Sequence, residues 1–536
     1  MHIRSFSPSK SYYHPGESVE LLIEIESKQE TTANLYIKIQ HLSNQPILLP
    51  FPLQLKSSLQ SVSIAWQPPI QKAGYRVLAE LYNQNGELIS FTSLVFDVLG
   101  NWTDFPRYGF LTDFSTTRLD PQSTIAELAK FHINGLQFYD WQYRHDHLLA
   151  PTRDYIDPLG RAMSLETVSG LVEAAAGQGM AAMPYLAIYG ASAAFWRAHP
   201  ESALYDATGK PIAFGEDFLG IMNPTAGTFW QKHLLDEGAN VLRAIPFAGL
   251  HIDQYGEPKQ AWDAQGHPVD LPEAFSDFIE AARKNHPDQT ILFNAVGNWP
   301  VEALAASPLD FMYIEIWPPD THYLDVARIV LNAVQLSGGK PVVIALYLPA
   351  DQTANVMQAN AVIAACGGSR IELGENSRLL TDPYFPKHQS ISADLYSELL
   401  EYYDFLVQYG EWLQSYNLSL TQRQTWAQGA SQPDYVQIDG QVLSIVRQHS
   451  SGITVNLVNF NTLGLNLEWD KAHTAPQPYK NLSIRLRLSW KPTSIHWAYP
   501  GQSLTGPDNI DFVYQDGEVI FSIPELKLLG VFFIHD

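Results

Sequence analysis

The stretch Gly249-Leu250-His251-Ile252-Asp253-Gln254-Tyr255-Gly256 decides how the rest of the chain is read. It is short and apolar, and it ends in an acid and polar aromatic residues. That is the pattern of a strand, and the closing glycine lets the backbone turn away. A carboxylate at the mouth of a strand is aimed into whatever cleft lies there. The same pattern serves an aspartate that only caps a helix or forms a turn. A second acid in an equivalent place separates the two.

Working outward, strands are expected at 108–114, 133–140, 180–189, 249–255, 290–296, 311–317, 341–348 and 369–374. Amphipathic stretches at 123–131, 164–178, 227–244, 271–286, 320–337 and 350–365 lie between them. This alternation predicts a parallel sheet with crossover helices. Eight such units fit a (β/α)8 TIM barrel better than an open doubly wound sheet. No glycine-rich phosphate loop follows the first strand, which weakens a dinucleotide-binding fold. A long helix is expected at 394–415. Residues 1–103 alternate with period two in stretches such as 19–26 and 75–82, and turn clusters separate them. They predict an N-terminal immunoglobulin-like β-sandwich. Alternation returns over 421–536 and predicts a C-terminal antiparallel β-sandwich, leaving 104–420 for the catalytic barrel. The fold class is α/β with two flanking β domains.

The active site of such a barrel lies at the C-terminal ends of its strands. Strand two ends in Tyr139-Asp140-Trp141-Gln142-Tyr143-Arg144-His145-Asp146, and strand three in Ile188-Tyr189-Gly190. Strand four ends in Asp253-Gln254-Tyr255, strand five in Asn294, strand six in Glu315-Ile316-Trp317, strand seven near Tyr347 and strand eight near Glu375. This collar of acids, amides and aromatics contains the pair sought, Asp253 and Glu315. Glycosidic cleavage needs two carboxyls, roughly 5 Å apart when configuration is retained. Asp253 is expected to stay ionised, helped by donors such as Gln254 or Tyr255. Glu315, among apolar neighbours and near a negative charge, is expected to have a raised pKa. Trp141, Tyr143, Tyr189, Tyr255, Trp317 and Tyr347 are candidates for stacking on sugar rings. His145-Asp146-His147 lacks the spaced partners of a metal site. His251 reads as a core histidine, and no Gly-x-Ser-x-Gly marks a serine nucleophile. No cofactor is implied.

Composition narrows the partners. Of 536 residues, 46% are hydrophobic and 17% charged, enough for several cores. The net charge of −23 argues against nucleic acid and anionic membrane, and leaves a neutral glucan acceptable. The single cysteine, Cys366, lies in an apolar helical run and reads as a packed small side chain. The first residues lack the apolar core of an export signal and no span reaches membrane length. A cytoplasmic location is expected, or a secreted one if a leader has been removed.

At these strand ends the chain resembles glycoside hydrolase family 66, the family of dextranases and cycloisomaltooligosaccharide glucanotransferases. The matching segments are 108–114, Asn134 to His145, Ala187 to Ser192, Ile221-Met222-Asn223-Pro224, 251–256, 293–297 and Tyr313 to Pro319. The resemblance implies cleavage of α-1,6-glucosidic links in dextran or isomaltooligosaccharides with retention, Asp253 as nucleophile and Glu315 as acid/base. A further acid near strand two maps onto Asp140 or the nearby Asp146. The implied substrate contacts are Asp140, Trp141, Tyr143, His145, Tyr189, Gln254, Tyr255, Asn294, Trp317 and Tyr347. Cyclising members carry a carbohydrate-binding module after strand seven, whereas Ala345-Leu346-Tyr347-Leu348-Pro349-Ala350 runs straight into a helix, which favours hydrolysis. Cyclisation by transfer within one chain, and a non-catalytic glucan-binding protein, are the alternatives.

Overall fold

The computed structural model describes residues 1–69, 72–118, 120–414, 425–428, 436–438, 440–449 and 451–536. Its centre is a curled, mainly parallel sheet whose strands are β1 (Tyr108–Leu111), β2 (Gly135–Phe138), β3 (Ala181–Ala187), β4 (Gly249–Asp253), β5 (Thr290–Val296), β6 (Met312–Glu315), β7 (Val342–Ala345) and β8 (Gly368–Ile371). They lie side by side in chain order. After Glu372 the chain resumes at Leu373–Gly374, where Gly374 pairs in parallel with Phe110 of β1. The last strand thus returns to the first.

Each strand is short, and β1 to β4, β6, β7 and β8 are buried along nearly their whole length. Such strands are covered on both faces and read as continuous apolar runs. In β4 only Asp253 is partly exposed, at the strand's end. Gly249 opens β4 because a Cβ there would sit 1.8 Å from the Thr290 carbonyl oxygen of β5. Gly256 has φ +77°, the left-handed turn expected after the acid.

Helices follow the strands: α1 (Pro121–Ala129), α2 (Leu165–Gly177), α3 (Phe229–Ala244), α4 (Leu271–Asn285), α5 (Val301–Ala306), α6 (Tyr323–Leu336), α7 (Thr353–Ala365) and α8 (Ala393–Gln408). The sequence reasons are plain in α4. Asp270 caps it by accepting from Glu273 N–H, and Pro272 stands in its first turn. Leu271, Ala274, Phe275, Phe278, Ile279 and Ala282 form its buried stripe. The six-residue α5 was not expected from periodicity. The helix expected over 394–415 is broken into α8 and a short turn at Gly410–Leu413, and position 415 lies outside the described residues.

The N-terminal part holds a three-stranded and a four-stranded antiparallel sheet that share one apolar core. Its last strand ends at Val98. The C-terminal part pairs a six-stranded with a four-stranded sheet over a second core. The expected boundary at 420/421 lies outside the described residues. No helix among the described residues is long and apolar enough to cross a membrane.

Arg107 seals the N-terminal seam. Its guanidinium meets Asp97 at 2.7 and 3.1 Å and donates to the carbonyls of His132 and Ser11, with both charged groups buried. Removing one partner of a buried pair strands the other charge, at about 3–5 kcal/mol. Asp97→Ala should therefore move the first urea-unfolding transition, followed by tryptophan fluorescence, to clearly lower denaturant. An unchanged curve would show that the pair contributes nothing to the seam.

Candidate active site

The C-terminal edge of the sheet brings Asp253 and Glu315 together. Ile252 of β4 pairs with Phe293 of β5, so Asp253 comes level with Asn294, and Asn294 in turn pairs with Tyr313 of β6, two residues before Glu315. Strands lie about 4.8 Å apart, so acids on β4 and β6 start from backbones about 10 Å apart and their side chains must converge. Asn294, on the strand between, meets both: its Nδ2 donates to Asp253 Oδ1 at 2.8 Å and to Glu315 Oε2 at 2.9 Å. An amide nitrogen directs its two hydrogens about 120° apart, which sets the two acceptor oxygens about 5 Å from each other.

Further donors surround the pair. Tyr347 Oη donates to Glu315 Oε1 at 2.7 Å. Tyr185 from β3 and the Gln254 backbone N–H serve Asp253. Burial first and Glu315 second push Asp253 up to about 7, against the donation from Tyr185, Asn294 and Gln254. Burial also raises Glu315, opposed by Asn294, Tyr347 and Trp317. The expectation that Asp253 stays low while Glu315 alone rises is not met. Both rise, and near neutral pH the pair retains a proton.

Beside Asp253 lies a hollow lined by Asp140, His145, Tyr185, Phe214, Tyr255 and Tyr384, among others. Asp140 adopts φ +52° just past β2, and Arg161 donates to its carbonyl at 3.1 Å while holding Asp157 at 2.7 Å. Burial raises Asp140 to about 6, moderated by Arg161. Burial drives His145 down to about 4, so its ring is neutral near neutral pH. Asp146, the other acid considered beside Asp140, accepts from Ser192 N–H at 2.6 Å and faces this loop.

The expected substrate contacts divide. Asp140, His145 and Tyr255 line the hollow, Tyr347 touches the acid pair, and Trp317 is 37% exposed beside it. Three others need correction. Trp141 is fully buried, packs on Phe247 and donates to the Tyr185 carbonyl at 3.2 Å, so it offers no face to a sugar. Tyr189 is equally buried, and its hydroxyl fixes the loop after β4 by accepting from Tyr255 N–H and donating to the Glu257 carbonyl. Gln254 is buried with its amide directed at the Asn294 and Trp299 carbonyls. Tyr143 is not among the hollow's lining residues, and the Arg144 guanidinium covers its ring at 4.0 Å. His251 is a core residue, as expected, held by the Tyr108 hydroxyl at 3.0 Å. Glu375 accepts from Thr112 and Asp113 and ties the end of the sheet to the loop after β1.

Sequence reasoning missed Tyr185, Arg161, Phe214 and Tyr384. Only Tyr185 carried a usable signal: it pairs with His251 and stands two residues before Ala187, the partner of Asp253. Equal parity along β3 puts it on the face of the acid.

The sequence model of Glycosyl hydrolase family 66 matches residues 8–530. A cycloisomaltooligosaccharide glucanotransferase from Niallia circulans is 27% identical over 376 residues, taking in 63% of this chain and 38% of that protein. A dextranase from Streptococcus salivarius is 22% identical over 519 residues, 81% of this chain and 62% of that protein. The chain thus spans less than two thirds of the length of either relative. Among solved structures, a cycloisomaltooligosaccharide glucanotransferase from Paenibacillus sp., complexed with cycloisomaltoheptaose, matches with a TM-score of 0.87 at 19% identity over 99% of both chains. That likeness shows the fold.

The raised Asp253 has a consequence for stability. Its ordinary value is 3.8 and here it is about 7. Well below the ordinary value the carboxyl is protonated in folded and unfolded chains alike and costs nothing. As pH climbs toward 7 the unfolded chain ionises first, so stability falls, and above that the loss is complete. Asp253→Asn removes this titration. The variant should melt above the wild type at about pH 8, with the gap closing toward about pH 4 in scanning calorimetry. A gap that widens toward acid would contradict the assignment.

Proposed function

Because the chain belongs to glycosyl hydrolase family 66, we propose that it is a retaining glycosidase of α-1,6-glucans, dextranase-like in outcome. We read the curled sheet, rejoined through Gly374 and Phe110, as a (β/α)8 barrel between an immunoglobulin-like and a second β-sandwich. The observation that supports the functional reading is the Asn294 bridge, whose single nitrogen bonds an oxygen of each acid and so brings the two carboxyls into the range of a retaining pair, roughly 5 Å.

On this reading Asp253 attacks the anomeric carbon while Glu315 gives its proton to the leaving glucosidic oxygen. The glucosyl unit is then held as an ester on Asp253. Glu315, now ionised, takes a proton from water, and the hydroxide displaces Asp253 with a second inversion. The Asp140 and His145 hollow holds hydroxyls of the unit being transferred, and the exposed Trp317 face receives the leaving sugar.

Water is favoured as acceptor because only residues 346–352 join β7 to α7, leaving no inserted module there. Transfer to a sugar is the second reading, supported by the likeness to the Niallia circulans protein named a glucanotransferase.

Incubation with dextran and with isomaltooligosaccharides of defined length, followed by separation of linear from cyclic products, tests both. Linear products with the α anomer formed first are expected. Cyclic products would install the second reading, and no cleavage of any substrate would end both. Asp253→Asn and Glu315→Gln should each lose several orders of magnitude in kcat. Azide should restore turnover to Asp253→Ala as the β-glucosyl azide. Near-normal activity in either single variant removes that residue from its role.

A further inference from the structure

Asn294 was expected to contact substrate, but its amide is already committed. One hydrogen goes to Asp253 Oδ1 at 2.8 Å and the other to Glu315 Oε2 at 2.9 Å. The residue is buried, and its Oδ1 has no partner among the described residues. The two carboxylates alone therefore orient the amide. We infer that Asn294 is a positioning residue for the acid pair: it holds the carboxyls apart and sets the pH window in which one is ionised and the other protonated. This rests on the catalytic reading of Asp253 and Glu315.

The physical case follows from what else could occupy the gap. An apolar side chain would give neither carboxyl a donor, so burial and their mutual repulsion would act unopposed and raise both. A cation would favour ionisation of both and remove the general acid. A neutral amide with two hydrogens and one nitrogen does neither. It spaces the oxygens and favours the ionised form of each by one hydrogen bond. Because the same nitrogen serves both acids, both titrations move together when it is lost.

Among the described residues, the titratable groups facing the pair are Tyr139 and Asp140 after β2, Tyr185 on β3 and Tyr189 just after it, Tyr255 after β4, Tyr313 on β6 and Tyr347 after β7. Burial raises all six tyrosines above their ordinary value, so near neutrality they stay neutral. Asp140 is the one further carboxyl in this set, and Arg161 lies against it.

The kcat/KM profile on an isomaltooligosaccharide, measured for wild type, N294A and N294D with melting curves in parallel, tests the role. Loss of a donor raises the pKa of both acids. N294A should therefore carry the acid and the alkaline limb to higher pH together, by about one unit each. N294D keeps the shape and adds a third carboxylate, so its shift should be larger in the same direction. Limbs that superimpose on the wild type once the maxima are scaled would reduce Asn294 to a structural residue and overturn the inference, as would a shift to lower pH. If the wild type cleaves no α-1,6-glucan, the functional reading fails and the inference is still tested by infrared titration of 13C-aspartate-labelled protein. The band lost in D253N identifies Asp253, and it should protonate at higher pH in N294A. The same midpoint in both proteins would overturn the inference.

Discussion

Two like charges about 5 Å apart in a buried cleft are the constraint around which this structure is arranged. At an effective dielectric of 20 their repulsion is about 3 kcal/mol, and burial penalises each charge separately. Hydrogen bonds answer it: Asn294 and Tyr347 donate to Glu315, and Asn294 donates to Asp253. A donor to a charged group is worth about 1.5–3 kcal/mol. Two on Glu315 and one on Asp253 offset part of the repulsion and burial but not all of it. The outcome is a pair raised in pKa yet ionisable, which is the state acid–base chemistry uses.

That arrangement demands a rigid support. Donors act only if the strands that carry them cannot slide, and the register of β3 through β7 is fixed by continuous parallel pairing. The N-terminal and C-terminal parts reinforce it from outside. On the N-terminal side Arg107 and Asp97 lock the entry to β1. On the C-terminal side α7 is buried almost all round, and its polar residues bond outward: Asn355 to the carbonyls of Trp469 and Lys471, and Gln358 to that of Asn459. Arg447 and Asn456 of the C-terminal part converge on the Ala365 carbonyl at the helix end. An apolar run such as 359–366 packs against two layers at once, which is why Cys366 is buried and unreactive in character.

The sequence was most informative where a side chain's role follows from its place on a strand. Asp253 and Glu315 could be found because both end short apolar runs, and parity puts strand ends on one edge of a parallel sheet. The eight strands were visible because each is a nearly unbroken buried run. What escaped has a common cause. Arg161, Phe214 and Tyr384 sit on connections of two- and three-residue strands, such as Ala213–Phe214, too short to show any period. Trp141 and Tyr189 were misjudged for the opposite reason. A strand-end aromatic has two ways to turn, and sequence does not say which; here the turns after β2 and β3 carry both rings inward, where their polar atoms fix backbone. Asn294 was expected to touch substrate, and its bonds to the two acids were not foreseen, because they come from the strands on either side.

The pair itself does not choose between water and sugar as acceptor. On the proposed mechanism both proceed from the same glucosyl ester, and Glu315 would activate either. The choice lies on the side of Glu315 away from the Asp140 hollow, since the leaving oxygen and the incoming acceptor must occupy the same place. There the described residues offer Trp317, 37% exposed and tilted against Tyr347 at 6.0 Å. One aromatic face adds about 1 kcal/mol beyond simple burial, roughly a fivefold preference. A preference of that size delays a departing sugar without retaining it. A cyclising enzyme must keep the far end of its own chain in that place long enough to exclude water, and it needs more surface than the direct passage from β7 to α7 supplies. The reading of hydrolysis therefore rests less on the acids than on how little is built beyond them.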